Sequence, residues 1–147
     1  MSVFDVTAYM GTWYELAHSK IKDYPTEGYN TSAVYTEIDK GLASIVNSTT
    51  NKGNVTQVSG VARYLQGSEF FVSFGKGRKT VCNYRVLVTW RDKDAVVYKY
   101  AVVTNPITNS CYVLSRTTTP CKEEYAMLME YVDHTCDIEM LHTPHYV

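Results

Sequence analysis

Phe4-Asp5-Val6-Thr7-Ala8-Tyr9-Met10-Gly11-Thr12-Trp13-Tyr14-Glu15 stands near the start of the chain, and its Gly-x-Trp step decides the reading. A Ser-Arg-Thr set lies near the far end, at Ser115, Arg116 and Thr117. Many short strand-like runs separate the two. In a meander of antiparallel strands, the start of the first strand and the end of the last fall at the same end of the sheet. An Arg there can lie over the Trp13 indole, a contact worth ~1–2 kcal/mol when partly desolvated, and donate to nearby carbonyls. The expected architecture is a small barrel with one closed end, plugged by Gly11, Trp13 and Arg116. Function would lie in its interior.

The runs themselves read as strands at 10–19, 31–38, 42–49, 56–65, 69–74, 81–90, 95–104 and 111–117. Turn signals divide them: Asp39-Lys40-Gly41, Asn51-Lys52-Gly53-Asn54, Gln66-Gly67-Ser68, Arg91-Asp92-Lys93-Asp94 and Asn105-Pro106. Pro25, Glu27 and Gly28 mark a loop, as do Gly75-Lys76-Gly77-Arg78. Eight regular short strands with hairpin connections close most simply into an all-β, up-and-down barrel, which removes exposed strand edges. An eight-stranded barrel is wide enough for one small ligand. After Thr119-Pro120 the period changes. Cys121, Tyr125, Leu128 and Val132 recur at helical spacing, with Pro120 expected at the first helical position and Glu123 and Glu124 near the positive end of the dipole. A single helix over 121–133 is expected to pack on the barrel wall. The tail from Ile138 to Val147 has room for one more short strand.

The bulk numbers exclude several classes. The 147 residues form one expected domain, with a net charge of −1 and no basic stripe for nucleic acid. No apolar run reaches the ~20 residues needed to cross a bilayer as a helix. No charged and apolar leader precedes the Gly-x-Trp step, so the chain reads as cytoplasmic or as a mature secreted form, the latter favoured. Three sequons, at Asn30, Asn47 and Asn54, point weakly the same way. Cys82, Cys111, Cys121 and Cys136 fit no zinc spacing. Two disulfides are possible in three connectivities, and fully reduced thiols are the alternative. A helix over 121–133 separates Cys121 from Cys136 by roughly 20 Å at ~1.5 Å per residue, too far to bridge.

These residues resemble a known family. Phe4-Asp5-Val6, Tyr9 and Gly11-Thr12-Trp13-Tyr14-Glu15 are similar to the first signature of lipocalins, and Leu114-Ser115-Arg116-Thr117 to the third. The likeness is nearest to the branch of apolipoprotein D, insect bilin-binding proteins and the bacterial outer-membrane lipocalin. Val46-Asn47 and Gly60-Val61-Ala62 match further positions of that branch. The middle signature departs, with Val96 and Val97 where the family carries an acidic or Thr-Asp pair before the Tyr matched to Tyr98. The resemblance implies a binding and transport protein for a small hydrophobic molecule, a fatty acid, lysophospholipid, retinoid or tetrapyrrole-like pigment, and not an enzyme.

Strand alternation then places the cavity wall. Anchored at Arg116, Leu114 and Tyr112 face in. On the preceding strand the resemblance favours Tyr98 as interior, and Tyr100 shares its face; on the sixth the apolar set Tyr84, Val86, Val88 and Trp90 faces in. Val72 and Phe74 line the fifth, and the resemblance adds Ala62 and Tyr64 on the fourth. Tyr35 and Val46 are the choices for the second and third. The expected wall is aliphatic below and tyrosyl around the middle and mouth, with Glu15 the exceptional inward charge. The rival functions are a filled barrel that acts through its loops on a partner protein, and an enzyme using a cavity thiol such as Cys82 or Cys111. Against the enzyme, no His lies near those thiols in sequence. His18 takes the outward parity, and His134, His142 and His145 follow the barrel. No catalytic residue, metal site or cofactor is assigned. The expected state is a monomer or weak homodimer.

Overall fold

The computed structural model describes residues 4–19, 29–51, 53–75, 82–135 and 140–142. The loops around Pro25 and Lys76, together with Cys136 and His145, lie outside them. The elements run α1 (Val6–Tyr9), β1 (Gly11–Ser19), β2 (Tyr29–Asp39), β3 (Leu42–Asn51), β4 (Asn54–Gln66), β5 (Glu69–Ser73), β6 (Tyr84–Trp90), β7 (Tyr100–Asn105), β8 (Ser110–Ser115), α2 (Lys122–Thr135) and β9 (Met140–His142). Consecutive strands from β2 to β8 pair antiparallel as a meander. β1 then closes the ring by pairing β8 on one side and β2 on the other. This is an eight-stranded up-and-down barrel with a C-terminal helix. The tail supplies β9, which pairs Ala17–Ser19 of β1.

Two apolar cores flank one wall. Inside the barrel, Trp13, Tyr35, Ile45, Ala62, Phe70, Val86, Val103 and Leu114 pack together. Outside it, Leu128 and Val132 of α2 are fully buried against Leu16, Ala17, Val102 and Val113. The stripe of α2 is narrower than the spacing predicts. Cys121 is exposed and sits just before the helix, where its Sγ accepts the Glu124 N–H at 3.4 Å. Pro120 therefore precedes the helix and does not occupy its first position. Cys82, Cys111 and Cys121 are free thiols.

The closed end is built from short-range chemistry. Asp5 caps α1, its Oδ1 accepting the Ala8 N–H at 3.2 Å. The carbonyls at the far end of that single turn then become acceptors. Trp13 Nε1 donates to Tyr9 O at 2.7 Å. Arg116 donates to Ala8 O, Thr12 O and Tyr98 O at 3.0, 2.8 and 2.8 Å. Its guanidinium carbon lies 3.7 Å from the centre of the Trp13 ring. Gly11 has φ +102, and a Cβ there would come within 3.2 Å of the guanidinium. Glycine is therefore required twice over, for the backbone and for the approach of Arg116. Burial lowers the Arg116 pKa to about 10, with the nearby Tyr9 phenol acting in the opposite direction.

Three local irregularities set which side chains face in. A bulge in β1 between Glu15 and Ala17 turns Leu16 and Ala17 out toward α2. A second bulge, between Val86 and Val88, does the same in β6. The stretch 95–99, expected as the start of the seventh strand, is not strand. Tyr98 N–H instead donates to Ala8 O and Lys99 N–H to Trp90 O, which folds this stretch under the closed end. Val96 and Val97 are left exposed there.

Candidate functional site

A cavity of about 320 Å³ opens at the end of the barrel opposite α1. Tyr35, Val72, Phe74, Tyr84, Tyr112 and Leu114 line it, on the faces that alternation assigns them. Ala62, Val86 and Tyr98 are buried in the inner core without reaching the cavity, and Tyr64 packs against that core from its edge. Four expected wall residues need correction. Val46 points away from the cavity, and its neighbours Ile45 and Asn47 line it instead. Val88, Trp90 and Tyr100 pack in the outer core beneath α2. The β6 bulge reverses the first two. The non-strand stretch before β7 reverses Tyr100, so that Val103 takes the cavity face in that strand.

Tyr35, Tyr84 and Tyr112 give the cavity its expected tyrosyl middle, but the floor below it is not aliphatic. The lower half is aromatic: Tyr9 packs against Trp13, Tyr35, Phe70 and Tyr84 with ring centres 5.2, 5.5, 6.2 and 6.3 Å away. The Tyr9 and Tyr84 hydroxyls share a hydrogen bond. Burial pushes the phenols of Tyr9, Tyr35 and Tyr84 well above their ordinary range. The upper half carries Thr31, Asn47, Asn83 and Asn105, none of which alternation singled out. Asn105 reads as a turn residue, and choosing Val46 as the inward residue of the third strand puts Asn47 on the outer face. Asn83 acts as a strand extension: its Oδ1 accepts the Val72 N–H at 2.7 Å and its Nδ2 donates to Val72 O at 2.8 Å. Asn47, a sequon residue, faces the cavity, whereas Asn54 is exposed at the β3–β4 turn.

At the rim, Phe74 reaches over the wall because Gly60 leaves it space. A Cβ on Gly60 would stand 2.3 Å from Ser73 O and 2.7 Å from the Phe74 ring. Gly60→Ala is expected to push β5 off β4 and cost about 1–3 kcal/mol, as overpacking does, measured by urea unfolding. Wild-type stability in that variant would show that the rim yields freely.

Glu15 is the acidic group of the wall. It is only 3% exposed, and its Oε2 lies 3.4 Å from His18 Nδ1. The β1 bulge brings this about: with one residue inserted, His18 turns to the same side as Glu15 instead of taking the outward parity. Burial raises the Glu15 pKa, against the opposing pull of His18 and the Thr31 hydroxyl. The pair is buried, and neither of the candidate thiols, Cys82 and Cys111, belongs to it. Cys111 belongs to the outer core, and the Cys82 Sγ contacts Tyr84 O at 3.5 Å. Among the described residues, no group of three or more His, Cys, Asp or Glu side chains is placed to hold a metal ion. None of the described helices is long and apolar enough to cross a membrane.

Comparison with known proteins agrees with this geometry. Residues 4–145 match the family model of the lipocalin-like domain. The chain is 30% identical to temperature-induced lipocalin-1 of Arabidopsis thaliana over 148 aligned positions, covering 94% of this chain and 77% of that protein. Among solved structures, it superposes on the siderocalin Ex-FABP with a TM-score of 0.65 at 12% identity, covering 95% and 96% of the two chains. The cockroach allergen Per a 4 gives the same TM-score at 18% identity, covering 95% and 88%. These two likenesses are of fold. The plugged end, the barrel order and the family match together assign the chain: it belongs to the lipocalin family.

Proposed function

We propose that the protein binds and carries one small, mainly apolar molecule in the open half of its barrel. The carrying observation is the cavity itself: space remains above a filled aromatic floor, walled by Ala33, Ile45, Val72, Val103 and Leu114, with polar groups near the mouth. Ligand pockets span roughly 300–1,000 Å³, so this one is at the small end. That favours a slim chain or a single ring system, such as a fatty acyl or retinoid-like tail, over a broad planar tetrapyrrole. The wider group of lipocalins supports binding of small hydrophobic ligands in general, and the volume supports the narrower choice.

The test is native mass spectrometry of the purified protein, before and after incubation with single-chain and tetrapyrrole ligands. A stoichiometric adduct with the former is expected. Ala33→Phe places a ring in the empty space, so it should abolish the adduct at about the native melting temperature, since the added volume fills a void. Adducts undiminished in that variant would place the ligand elsewhere. A protein that takes up nothing from the panel would favour the filled-barrel, loop-acting reading.

A further inference from the structure

The wall is asymmetric in charge, and this bears on which headgroup it accepts. Among the described lining residues Glu15 carries the acidic group, and neither Lys nor Arg is present. Much of the neutral polar capacity is already committed. Both ends of the Asn83 amide are taken by Val72. The Asn105 Oδ1 accepts the Ile107 and Thr108 N–H groups at 2.9 and 3.4 Å. The Tyr84 hydroxyl is engaged with Tyr9. Among the described lining residues an anionic headgroup finds no Lys or Arg to pair with, and it would bring a second negative charge into a low-dielectric space beside Glu15. A cationic headgroup would meet a carboxylate that burial has already destabilised in its charged form, and the two charges would compensate each other. His18, whose Nδ1 lies 3.4 Å from the Glu15 Oε2, is not among the residues that line the cavity.

We propose that the cavity selects a small amphipathic cation, a primary alkylammonium, with its ammonium on the Glu15 carboxylate and its chain along Ile45, Val103 and Leu114. The inference rests on the binding function proposed above and names the ligand class for that same site.

The test is calorimetric titration of the native protein with n-octylamine, n-octanol and n-octanoate near neutral pH. The three share a chain and differ in headgroup charge. The expected order is amine, then alcohol, then carboxylate, with at least about tenfold, or ~1.4 kcal/mol, between the first and last. Glu15→Gln should cost the amine about tenfold and leave octanol within about twofold. Octanoate binding as tightly as octylamine overturns the charge selection while leaving the binding function standing. Heat from none of the three overturns both. Amine affinity unchanged in a folded Glu15→Gln protein moves the ammonium off Glu15 and also overturns the proposal. If that variant does not fold, the native series decides alone.

Discussion

Trp13→Ala is expected to destabilise the barrel by about 3–5 kcal/mol, the cost of truncating a large core aromatic. For a chain of this size, ~2–4 °C is lost per kcal/mol, so the melting temperature should fall by about 6–20 °C. The indole is fully buried and carries three separate contacts. It packs on Tyr9 with ring centres 5.2 Å apart, its Nε1 satisfies the Tyr9 carbonyl, and its face receives the Arg116 guanidinium. Truncation leaves a cavity beneath α1, a Tyr9 carbonyl without its indole donor and a half-buried cation without its ring. Each effect adds in the same direction. Arg116→Met tests the other half of the plug by removing three hydrogen bonds to Ala8, Thr12 and Tyr98 while keeping the side-chain stem. A thermal melt of Trp13→Ala within about 3 °C of wild type would remove the plug from the account of stability.

The plug was legible because its parts are fixed by local sequence and chain order. Gly11, Trp13 and Arg116 need only a meander with an even number of strands to meet, and the turn signals supply that meander. The cavity wall was less legible for a reason that individual residues make plain. Alternation is reliable only while pairing is regular, and one inserted residue flips every side chain after it. The bulges at Glu15/Ala17 and Val86/Val88 carry no Gly or Pro to announce them. Regular alternation puts His18 outward and Val88 and Trp90 inward, and the bulges reverse all three. Tyr100 turns outward for a different reason: residues 95–99 have strand-like composition, but their backbone groups bond to Ala8, Trp90 and Arg116 instead of a ladder. Trp90 and Tyr100 find burial under α2, which satisfies their apolar surface as well as the cavity would have done. Hydrophobicity alone cannot choose between two apolar environments on opposite sides of one wall. Helix α1 was missed because four residues are too few to show a period, and the Asp5 cap was its one local sign.

The aromatic floor gives the second large prediction, a steep loss of stability in alkali. The phenols of Tyr9, Tyr35 and Tyr84 are held well above their ordinary range, chiefly by burial. An unfolded Tyr titrates near ~10, so above that pH the unfolded chain gives up protons that the native barrel retains. Stability from these groups is complete below about pH 10 and falls as pH rises toward the native values. Each phenol contributes a slope of ~1.4 kcal/mol per pH unit, and three together ~4 kcal/mol per unit. Against a typical total of ~5–15 kcal/mol, a few units above pH 10 suffice to unfold the chain. Tyrosinate absorbance and circular dichroism should therefore change together in one steep step over part of the signal from the thirteen tyrosines, after exposed ones titrate gradually. Tyr84→Phe removes one phenol from the floor, and the slope should drop by about a third. It also leaves the Tyr9 hydroxyl without the partner it has in the native floor, so stability near neutrality should fall by about 1–3 kcal/mol even as the alkaline slope flattens. All tyrosines titrating smoothly near pH 10 with the fold intact would mean that the floor is open to water. An aromatic floor that excludes water confines ligand to the upper cavity, so the alkaline profile also bears on where the bound molecule stops.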